Sequence, residues 1–160
     1  METKIAVFAG TFDPITLGHV DIINRSLRLV DKMIIAIGVN TKKQTLFSLE
    51  DRMAWIQEIF KDEPKIVVDN YTDLTVNYCR SKGAKYIMRG LRNGSDFDYE
   101  AHIAQVNKEL APEIETLFTI SSPELSYISS TIVRDLILYG GDYSNFVPNS
   151  VAISKAKRNF

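Results

Sequence analysis

Four segments of the sequence carry side chains that could bind phosphate groups. The first is Gly10–His19, in which glycine and proline turn residues lead to His19, one of two histidines in the chain. The other three bring lysines, arginines and hydroxyl groups, at Lys42–Lys43, Arg89–Arg92 and Ser121–Thr131. Arginine presents N–H donors that match phosphate oxygens, and imidazole and hydroxyl groups can donate to the same oxygens. These residue types indicate chemistry on a phosphate or a nucleotide.

The composition argues against several other classes of protein. A net charge of −1 and a pI near 6.1 give no bulk attraction for nucleic acid or an acidic membrane, so phosphate binding must be local. Cys79 is the only cysteine, which excludes an intrachain disulfide and a multi-cysteine zinc site. No apolar run approaches a membrane span, and the first residues lack the features of a secretory signal. We therefore expect a cytoplasmic protein.

Apolar runs alternate with segments of helical spacing along the chain. Between the runs, apolar residues recur every three or four positions, as amphipathic helices require. Unbroken apolar runs are typical of parallel strands buried on both faces. The alternation predicts an α/β fold, a Rossmann-like, doubly wound, five-stranded parallel sheet. The expected strands are Ile5–Ala9, Met33–Val39, Ile66–Asp69, Tyr86–Met88 and Leu117–Ile120.

The chain has the size and composition of one domain. Its 160 residues, 45% of them hydrophobic, suffice for a core of its own. No repeat, low-complexity segment or linker interrupts it. We expect a single domain over residues 1–160, with a C-terminal helix from about residue 148.

Some conspicuous side chains have a structural interpretation. Trp55 lies beside the apolar stripe of its helix, which predicts packing at the edge of the core. With Ile59 it is expected to leave surface for contacts between subunits. Cys79 is expected to be a small buried residue and His102 an exposed one. The helix around Phe97–Lys108 begins apolar and ends polar, which predicts a surface helix.

The candidate segments all follow predicted strands. The carboxyl ends of parallel strands share one edge of the sheet, where such folds bind ligands. Thr16 is a candidate N-cap, which places Gly18 and His19 in the first turn of a helix. Free N–H groups and the positive dipole end favour a phosphate there, and the His19 imidazole could donate to it. The alternative is that His19 only packs or caps the turn.

Each later segment also has a structural alternative. Adjacent lysines are commonly a solvated loop, and Tyr71–Thr75 after the third strand could be a simple N-cap. The arginines could lie in a surface loop. Ser121–Thr131, which precedes a predicted helix at Ile132–Tyr139, could be an elaborate N-cap. With Tyr71–Thr75 added to the four segments named first, five segments lie on one edge of one sheet, which favours a shared site.

These segments resemble a known enzyme family. GTFDPITLGH resembles the signature of the HxGH-type nucleotidyltransferases, with Thr16–His19 as the TxGH variant. RGLR, DFDYE and SYISST complete the pattern of the bacterial phosphopantetheine adenylyltransferase family. The match is collinear from about Lys4 to Pro148, nearly the whole chain.

The resemblance implies a reaction and a set of partners. AMP would pass from ATP to 4′-phosphopantetheine, giving dephospho-coenzyme A and pyrophosphate, with Mg²⁺ as cofactor. The family forms hexamers, and coenzyme A would bind as a feedback ligand. A phosphate monoester is already ionised at neutral pH, so the attack on ATP needs no general base, and positioning and charge stabilisation should carry the catalysis.

The resemblance also implies roles for individual residues. His19, Lys43 and Arg92 would be catalytic, with His19 stabilising the transition state. The acceptor would bind Thr11, Lys43, Thr75 and Arg89. The ATP site would comprise Thr11, Phe12, His19, Gly90, Leu91, Arg92, Glu100, Leu125, Ser126, Tyr127, Ile128, Ser129, Ser130 and Thr131.

The sequence departs from the family pattern at several positions. Relatives often read KKP where this chain has Lys42, Lys43 and Gln44, so either lysine can occupy the phosphate-binding position. Thr75 stands where an apolar residue is expected against the pantetheine arm. Asp13 could serve Mg²⁺ indirectly or stabilise the turn as an Asx residue, and no metal ligand is assigned.

Two other functions stay open. The first is a sibling nucleotidyltransferase acting on another phosphorylated acceptor, such as nicotinamide mononucleotide or glycerol phosphate. Those siblings usually carry His where this chain has Thr16, which argues against it. The second is an inactive nucleotide-binding module. The presence together of Thr11, His19, Lys43, Arg89 and Arg92 argues against loss of activity.

Overall fold

A computed structural model describes residues 3–40, 42 and 44–152. Strands β1 to β5 span Ile5–Gly10, Lys32–Gly38, Ile66–Tyr71, Tyr86–Leu91 and Glu115–Ile120. Helices α1 to α6 span Leu17–Ser26, Leu49–Ile59, Thr75–Ser81, Gly94–Leu110, Ser130–Leu138 and Asn149–Ala152. Each predicted strand is present, with small differences at its ends.

The strands form one sheet in the order β3-β2-β1-β4-β5, and every pair is parallel. This confirms the doubly wound, Rossmann-like fold. The chain builds outward from β1 to β2 and β3, then crosses back to place β4 on the other side of β1. The strand order therefore reverses between β1 and β4, where folds of this kind bind ligands.

The pairing of β1 with β4 is shorter than the pairing of β1 with β2. Residues of β1 and β2 are in register from Ile5–Lys32 to Gly10–Ile37. Those of β1 and β4 pair only from Ala6–Tyr86 to Phe8–Met88. Beyond Phe8 and Met88 the two strands are no longer paired, and this leaves an opening at their carboxyl ends.

Strand side chains alternate between two apolar layers. In β1, Ala6 and Phe8 belong to the first layer and Val7 and Ala9 to the second. The first layer is completed from α1, α2, α5 and α6 by Ile22, Ile23, Trp55, Ile56, Val133, Ile137 and Val151. The second is completed by Val76, Tyr78 and Cys79 of α3, with Ala111 and Ile114. Full burial of one large aliphatic side chain contributes about 1.5–3 kcal/mol to the stability of the fold. The two layers together therefore stabilise the sheet.

The expectation that Trp55 leaves surface for subunit contacts is wrong. Trp55 is buried, and its ring lies edge-on to Phe47 at 4.9 Å between centroids. Phe47 comes from the loop before α2, so helical spacing alone could not reveal this contact. Ile59 is partly buried against the same layer. Cys79 is buried and His102 is exposed, as expected.

Helix α5 begins two residues before the expected Ile132. Ser129 is its N-cap and accepts a hydrogen bond from the Ile132 N–H at 3.2 Å, so the helix starts at Ser130. Within the described residues, no helix is both long and apolar enough to cross a membrane.

Candidate active site

A cleft of about 330 Å³ opens where β1 and β4 separate. Five elements and their loops meet there: β1, α1, β4, α4 and the segment that leads into α5. Of the residues predicted for the site, those that line the cleft are Thr11, Phe12, His19, Arg89, Gly90, Arg92, Glu100, Leu125, Ile128, Ser129, Ser130 and Thr131.

His19 lies in the first turn of α1 and also takes part in its cap. The Thr16 side chain accepts from the His19 N–H, as the sequence suggested, although this contact is long at 3.4 Å. In return the His19 Nδ1 accepts from the Thr16 backbone N–H at 3.0 Å. A backbone N–H can only donate, so Nδ1 is unprotonated and the ring proton lies on Nε2. His19 therefore both caps the helix and has a donor left for a ligand.

His19 is neutral at physiological pH. Burial, together with the smaller effect of the positive charges of Arg92 and Arg89, lowers its pKa to about 4. The ring also packs edge-on against Phe12 at 5.2 Å between centroids. The side chain acts as a fixed, uncharged N–H donor.

Phe12 has an unusual conformation in the loop after β1. Phe12 adopts a left-handed backbone with φ of 48°, an uncommon conformation for a bulky residue. Its ring lies 3.1 Å from where a Cβ on Gly10 would be, so the absence of a side chain at Gly10 makes room for that ring.

Asp13 has a structural role that the sequence left undecided. Its carboxylate accepts from the backbone N–H groups of Leu46 and Phe47, both at 2.9 Å. The Asp13 carbonyl accepts from Arg134 Nη1 at 2.7 Å. These contacts join the loop after β1 to the loop before α2 and to α5, so Asp13 acts across the molecule instead of within its own turn.

Arg52 also holds the loop after β1 in place. It is buried on α2 and donates to the carbonyls of Thr11 at 2.8 Å and Ser48 at 3.1 Å. Burial lowers the pKa of Arg52, while the charges of Asp13 and Glu50 act in the opposite direction. Arg52 thereby sets the backbone of Thr11, a predicted ligand of the acceptor.

Arg89 is fixed at the floor of the cleft. Its Nε and Nη2 donate to the two carboxylate oxygens of Glu100, and its Nη1 donates to the Ala9 carbonyl. Burial opposes the positive charge, but the hydrogen bonds and charge of Glu100 outweigh it and raise the pKa of Arg89. This pair joins β4 to α4.

Arg92 forms a second pair with α4. Its Nε and Nη2 donate to Asp96 Oδ2 and Oδ1 at 2.9 and 3.0 Å. The hydrogen bonds from Arg92 hold the pKa of Asp96 below its ordinary value. Both arginines of the RGLR segment are thus held by carboxylates one turn apart on one helix.

Gly90 lies between the two arginines and has a steric requirement of its own. A Cβ at this position would come within 2.4 Å of the Ile22 Cδ1 of α1. A larger residue here would therefore require the end of the buried Ile22 side chain to move, at the point where α1 packs on β4.

The hydroxyl-rich segment forms the opposite wall. Ser129 caps α5, Ser130 Oγ donates to the Pro14 carbonyl at 2.8 Å, and Thr131 Oγ1 accepts from Arg134 Nη2 at 3.1 Å. The free N–H groups at the start of α5 lie on this wall, where they favour a bound anion.

Several predicted residues lie elsewhere. Leu91 is buried at the end of β4, and Tyr127 is exposed and packs edge-on with Phe146. Ser126 and Thr75 are not part of the cleft lining, and the Thr75 hydroxyl is 2.8 Å from that of Tyr71. Lys43 lies outside the described residues. Lys42 is exposed, and its backbone N–H bonds to Asn40.

Sequence reasoning missed three side chains of this site. Asp96 begins the DFDYE segment that carries the resemblance, but it was given no role; it lies in the first turn of α4, where the dipole favours an acidic residue. Arg134 lines the cleft one turn after Ser130, a spacing that places both on one face of α5. Arg52 lies next to the apolar stripe of α2, where a buried charge is rare and marks a specific partner.

Known proteins are similar to this chain over most of its length. The cytidylyltransferase-like family model matches residues 7–136. A phosphopantetheine adenylyltransferase of Flavobacterium psychrophilum is 53% identical over 148 residues, 92% of this chain and 97% of that protein. One of Leptospira biflexa is 47% identical over 155 residues, 97% of each chain.

A solved structure shares the fold. The crystal structure of a bifunctional NMN adenylyltransferase/ADP ribose pyrophosphatase from Francisella tularensis superposes with a TM-score of 0.69 at 21% identity. The match covers 91% of this chain and 45% of that one. At this level of identity the similarity concerns the fold alone.

Proposed function

The chain belongs to the cytidylyltransferase-like family, and from this premise we propose that it is a phosphopantetheine adenylyltransferase. It transfers AMP from ATP to 4′-phosphopantetheine and releases pyrophosphate, a step of coenzyme A synthesis. Relatives of that name match over nearly the full length of both chains. The structural observation that carries the proposal is the meeting of His19, Arg89 and Arg92 in one cleft at the reversal of strand order.

The reaction itself asks little covalent chemistry of the protein. An ionised oxygen of the acceptor phosphate attacks the α-phosphorus of ATP, and a new P–O bond forms. The bond from the α-phosphorus to the bridging oxygen of pyrophosphate breaks, and the electron pair leaves with pyrophosphate. The barrier comes from joining two polyanions and from charge that develops in the transition state, so oriented donors are the main requirement.

His19 meets this requirement as a neutral donor. Its Nε2–H is available because Nδ1 is occupied by Thr16. A donor that needs no proton uptake keeps its role across the physiological pH range, because its pKa is about 4. We assign its hydrogen bond to the oxygens on which charge develops.

Arg89 is suited to the acceptor phosphate. Two of its five N–H groups bind Glu100 and one binds Ala9, which leaves one donor on each terminal nitrogen. In this proposal Thr11 and Lys43 share the same phosphate. The assignment of Thr75 to the pantetheine arm stays a prediction, because Thr75 does not line the cleft.

Arg92 and the start of α5 are suited to the triphosphate. Arg92 adds charge on one wall, and the N–H groups around Ser129–Thr131 add donors on the other. Arg134 lines the cleft beside them and contributes a further positive charge. Leu125 and Ile128 provide apolar surface for the adenosine part.

We propose that Mg²⁺ is carried by the triphosphate. Within residues 3–40, 42 and 44–152, no cluster of three or more potential ligands could hold a metal ion. The carboxylates of Asp13, Asp96 and Glu100 are each bound to N–H groups. Mg²⁺ is commonly bound through substrate phosphates, where it would neutralise their charge. No protein ligand is assigned.

We also propose a homohexamer in the cytoplasm, with coenzyme A as a feedback ligand in the same cleft. The exposed apolar side chains of α4, Phe97, Tyr99, Val106 and Leu110, supply surface that a neighbouring subunit can cover. Coenzyme A contains both a pantetheine arm and an adenosine part, so it can compete with either substrate. Light scattering that finds only an 18.1 kDa monomer at micromolar concentration would refute the hexamer.

The activity can be tested directly. Purified protein is incubated with ATP, Mg²⁺ and a panel of acceptors: 4′-phosphopantetheine, nicotinamide mononucleotide and glycerol phosphate. We expect pyrophosphate release with 4′-phosphopantetheine and little with the others. Equal or greater turnover with another acceptor would favour a sibling enzyme, and ATP binding without turnover would favour an inactive module.

A further inference from the structure

Arg92 depends on one neighbouring side chain for its position. It follows the last residue of β4, and its side chain is 37% exposed. Among the described residues, its recorded hydrogen bonds all end on Asp96. The backbone N–H donates to Oδ2 at 3.0 Å, Nε to Oδ2 at 2.9 Å, and Nη2 to Oδ1 at 3.0 Å. An arginine side chain at this exposure would otherwise sample many rotamers.

Asp96 is itself well placed to act as a fixed support. It lies in the first turn of α4, and its N–H donates to the side chain of the N-cap Asn93 at 3.0 Å. Its side chain is 21% exposed and lines the cleft together with Arg92. The carboxylate thus has a set direction before any ligand binds.

The geometry of the pair leaves Arg92 free to bind a second anion. The carboxylate occupies Nε and one N–H of Nη2. Three of the five guanidinium N–H groups remain, two on Nη1 and one on Nη2. They lie on the edges of the planar group that Asp96 does not occupy, and a phosphate oxygen can accept from them.

The Arg89–Glu100 pair shows that α4 positions both arginines of the RGLR segment. Glu100, one helical turn beyond Asp96, holds Arg89 in the same two-point manner. The two cations assigned to the acceptor and to ATP are therefore spaced by carboxylates four residues apart on one helix. Displacement of either carboxylate changes that spacing.

We propose that Asp96 is a positioning residue for adenylyl transfer, which holds the Arg92 guanidinium with its free edge toward the triphosphate. The inference rests on the proposed function and adds a residue to its machinery. The alternative is that Asp96 is inhibitory, because its carboxylate would repel a triphosphate that binds beside it.

The test compares Asp96→Asn with Asp98→Asn. Asp98 lies on the same helix and is exposed, so its variant has the same change of charge without the contact to Arg92. We expect Asp96→Asn to lower kcat/KM for ATP by about 10- to 100-fold, the effect of a misplaced positioning group. The KM for 4′-phosphopantetheine and the circular dichroism spectrum should be unchanged. Asp98→Asn should match the wild type.

A double-mutant cycle separates positioning from a structural role. If Asp96 acts through Arg92, Asp96→Asn should cause no further loss in an Arg92→Ala background. An equal loss in both backgrounds, or wild-type kcat/KM in Asp96→Asn, would overturn the proposal. Tighter ATP binding in Asp96→Asn would also overturn it, in favour of the inhibitory role.

Calorimetric titration with ATP tests the role of Asp96 independently of the proposed enzymatic activity, because it measures binding and not turnover. If the wild type released no pyrophosphate with any acceptor, the proposed function would fail, yet the same cycle could be measured on ATP affinity. We expect weaker ATP binding in Asp96→Asn than in Asp98→Asn. Equal affinities in the two variants, with an inactive wild type, would end both ideas.

Discussion

Helices α1 and α4 both present side chains to the cleft, but they are held in different ways. In α1, the residues Gly18, Ile22, Ile23 and Ser26 are buried, so the apolar layer sets the position of His19. In α4, none of the 17 residues is buried, and its carboxylates are tied to the sheet by ion pairs. The donor placed for the chemical step thus rests on the core, whereas the cations placed for substrate phosphates rest on polar contacts.

The two helices should therefore differ in how strongly their positions depend on salt, pH and single side chains. Burial holds a group through many small dispersion contacts, which ionic screening does not weaken. An ion pair of moderate exposure depends on salt, on pH and on one partner side chain. Substitutions around α1 should therefore affect folding and kcat, and those around α4 should affect substrate binding.

The largest effect on stability should come from Ile23→Ala. Ile23 is fully buried in the first layer, so its truncation leaves a cavity and should lower the free energy of unfolding by about 2–5 kcal/mol. Leu29, just beyond α1, is 60% exposed, and Leu29→Ala should stay within about 0.5 kcal/mol of the wild type. Urea unfolding followed by circular dichroism measures both. Similar losses in the two variants would mean that burial does not anchor α1.

His19→Ala should have the largest effect on catalysis. Loss of a donor that acts on developing charge should lower kcat by a factor that corresponds to roughly 2.7–4 kcal/mol, with a much smaller change in the KM for ATP. His102→Ala is the matched control, because His102 is exposed on α4. Steady-state kinetics of both variants decides the matter. A folded His19→Ala enzyme with normal kcat and raised KM would make His19 a ground-state ligand.

Glu100→Gln should weaken acceptor binding more than it slows chemistry. The amide cannot match both Arg89 nitrogens as the carboxylate does, so the loss should be about 1.5–3 kcal/mol, seen as a raised KM for 4′-phosphopantetheine. Glu109→Gln, exposed on the same helix, is the control. An unchanged KM in Glu100→Gln would show that Arg89 keeps its position without α4.

The smallest effect concerns the charge of His19. Because burial lowers its pKa to about 4, the ring should stay neutral with the proton on Nε2 from pH 8 to about pH 5. Ring ¹⁵N NMR spectra over this range report both the charge and the tautomer. A midpoint near the ordinary value of about 6.5, or a proton on Nδ1, would contradict this assignment.

The same shift has a consequence for stability. The unfolded chain takes up a proton at His19 near pH 6.5, and the folded chain only near pH 4. The unfolded state therefore binds more protons in this interval, and the free energy of unfolding falls as the pH is lowered through it. His19→Gln should lack this part of the fall.

Local patterns were sufficient to predict most of the secondary structure. The apolar runs marked all five strands, and Thr16 marked the start of α1. Such signals lie within a few residues of the feature they specify. Because these signals are local, they could not show that Trp55 packs against Phe47, which lies outside the helix. This explains the error at Trp55.

The residues missed at the site share a different property. Arg52 meets Thr11 across 41 residues, and Arg134 meets Asp13 across 121. These contacts require α2 and α5 to pack on the same layer as α1, which no local pattern specifies. Asp96 is only four residues from Arg92, but its role depends on both lining the same cleft.

The sequence by itself determined which segments share the edge of the sheet. Parallel strands place all their carboxyl ends on one side, so the residues that follow the strands gather there whatever the strand order. The tertiary structure alone decided which of them meet, and in what state of charge. The order β3-β2-β1-β4-β5 opens the cleft between β1 and β4, and the rotation of α4 pairs Arg89 with Glu100 and Arg92 with Asp96. Burial beside those two arginines then keeps His19 neutral.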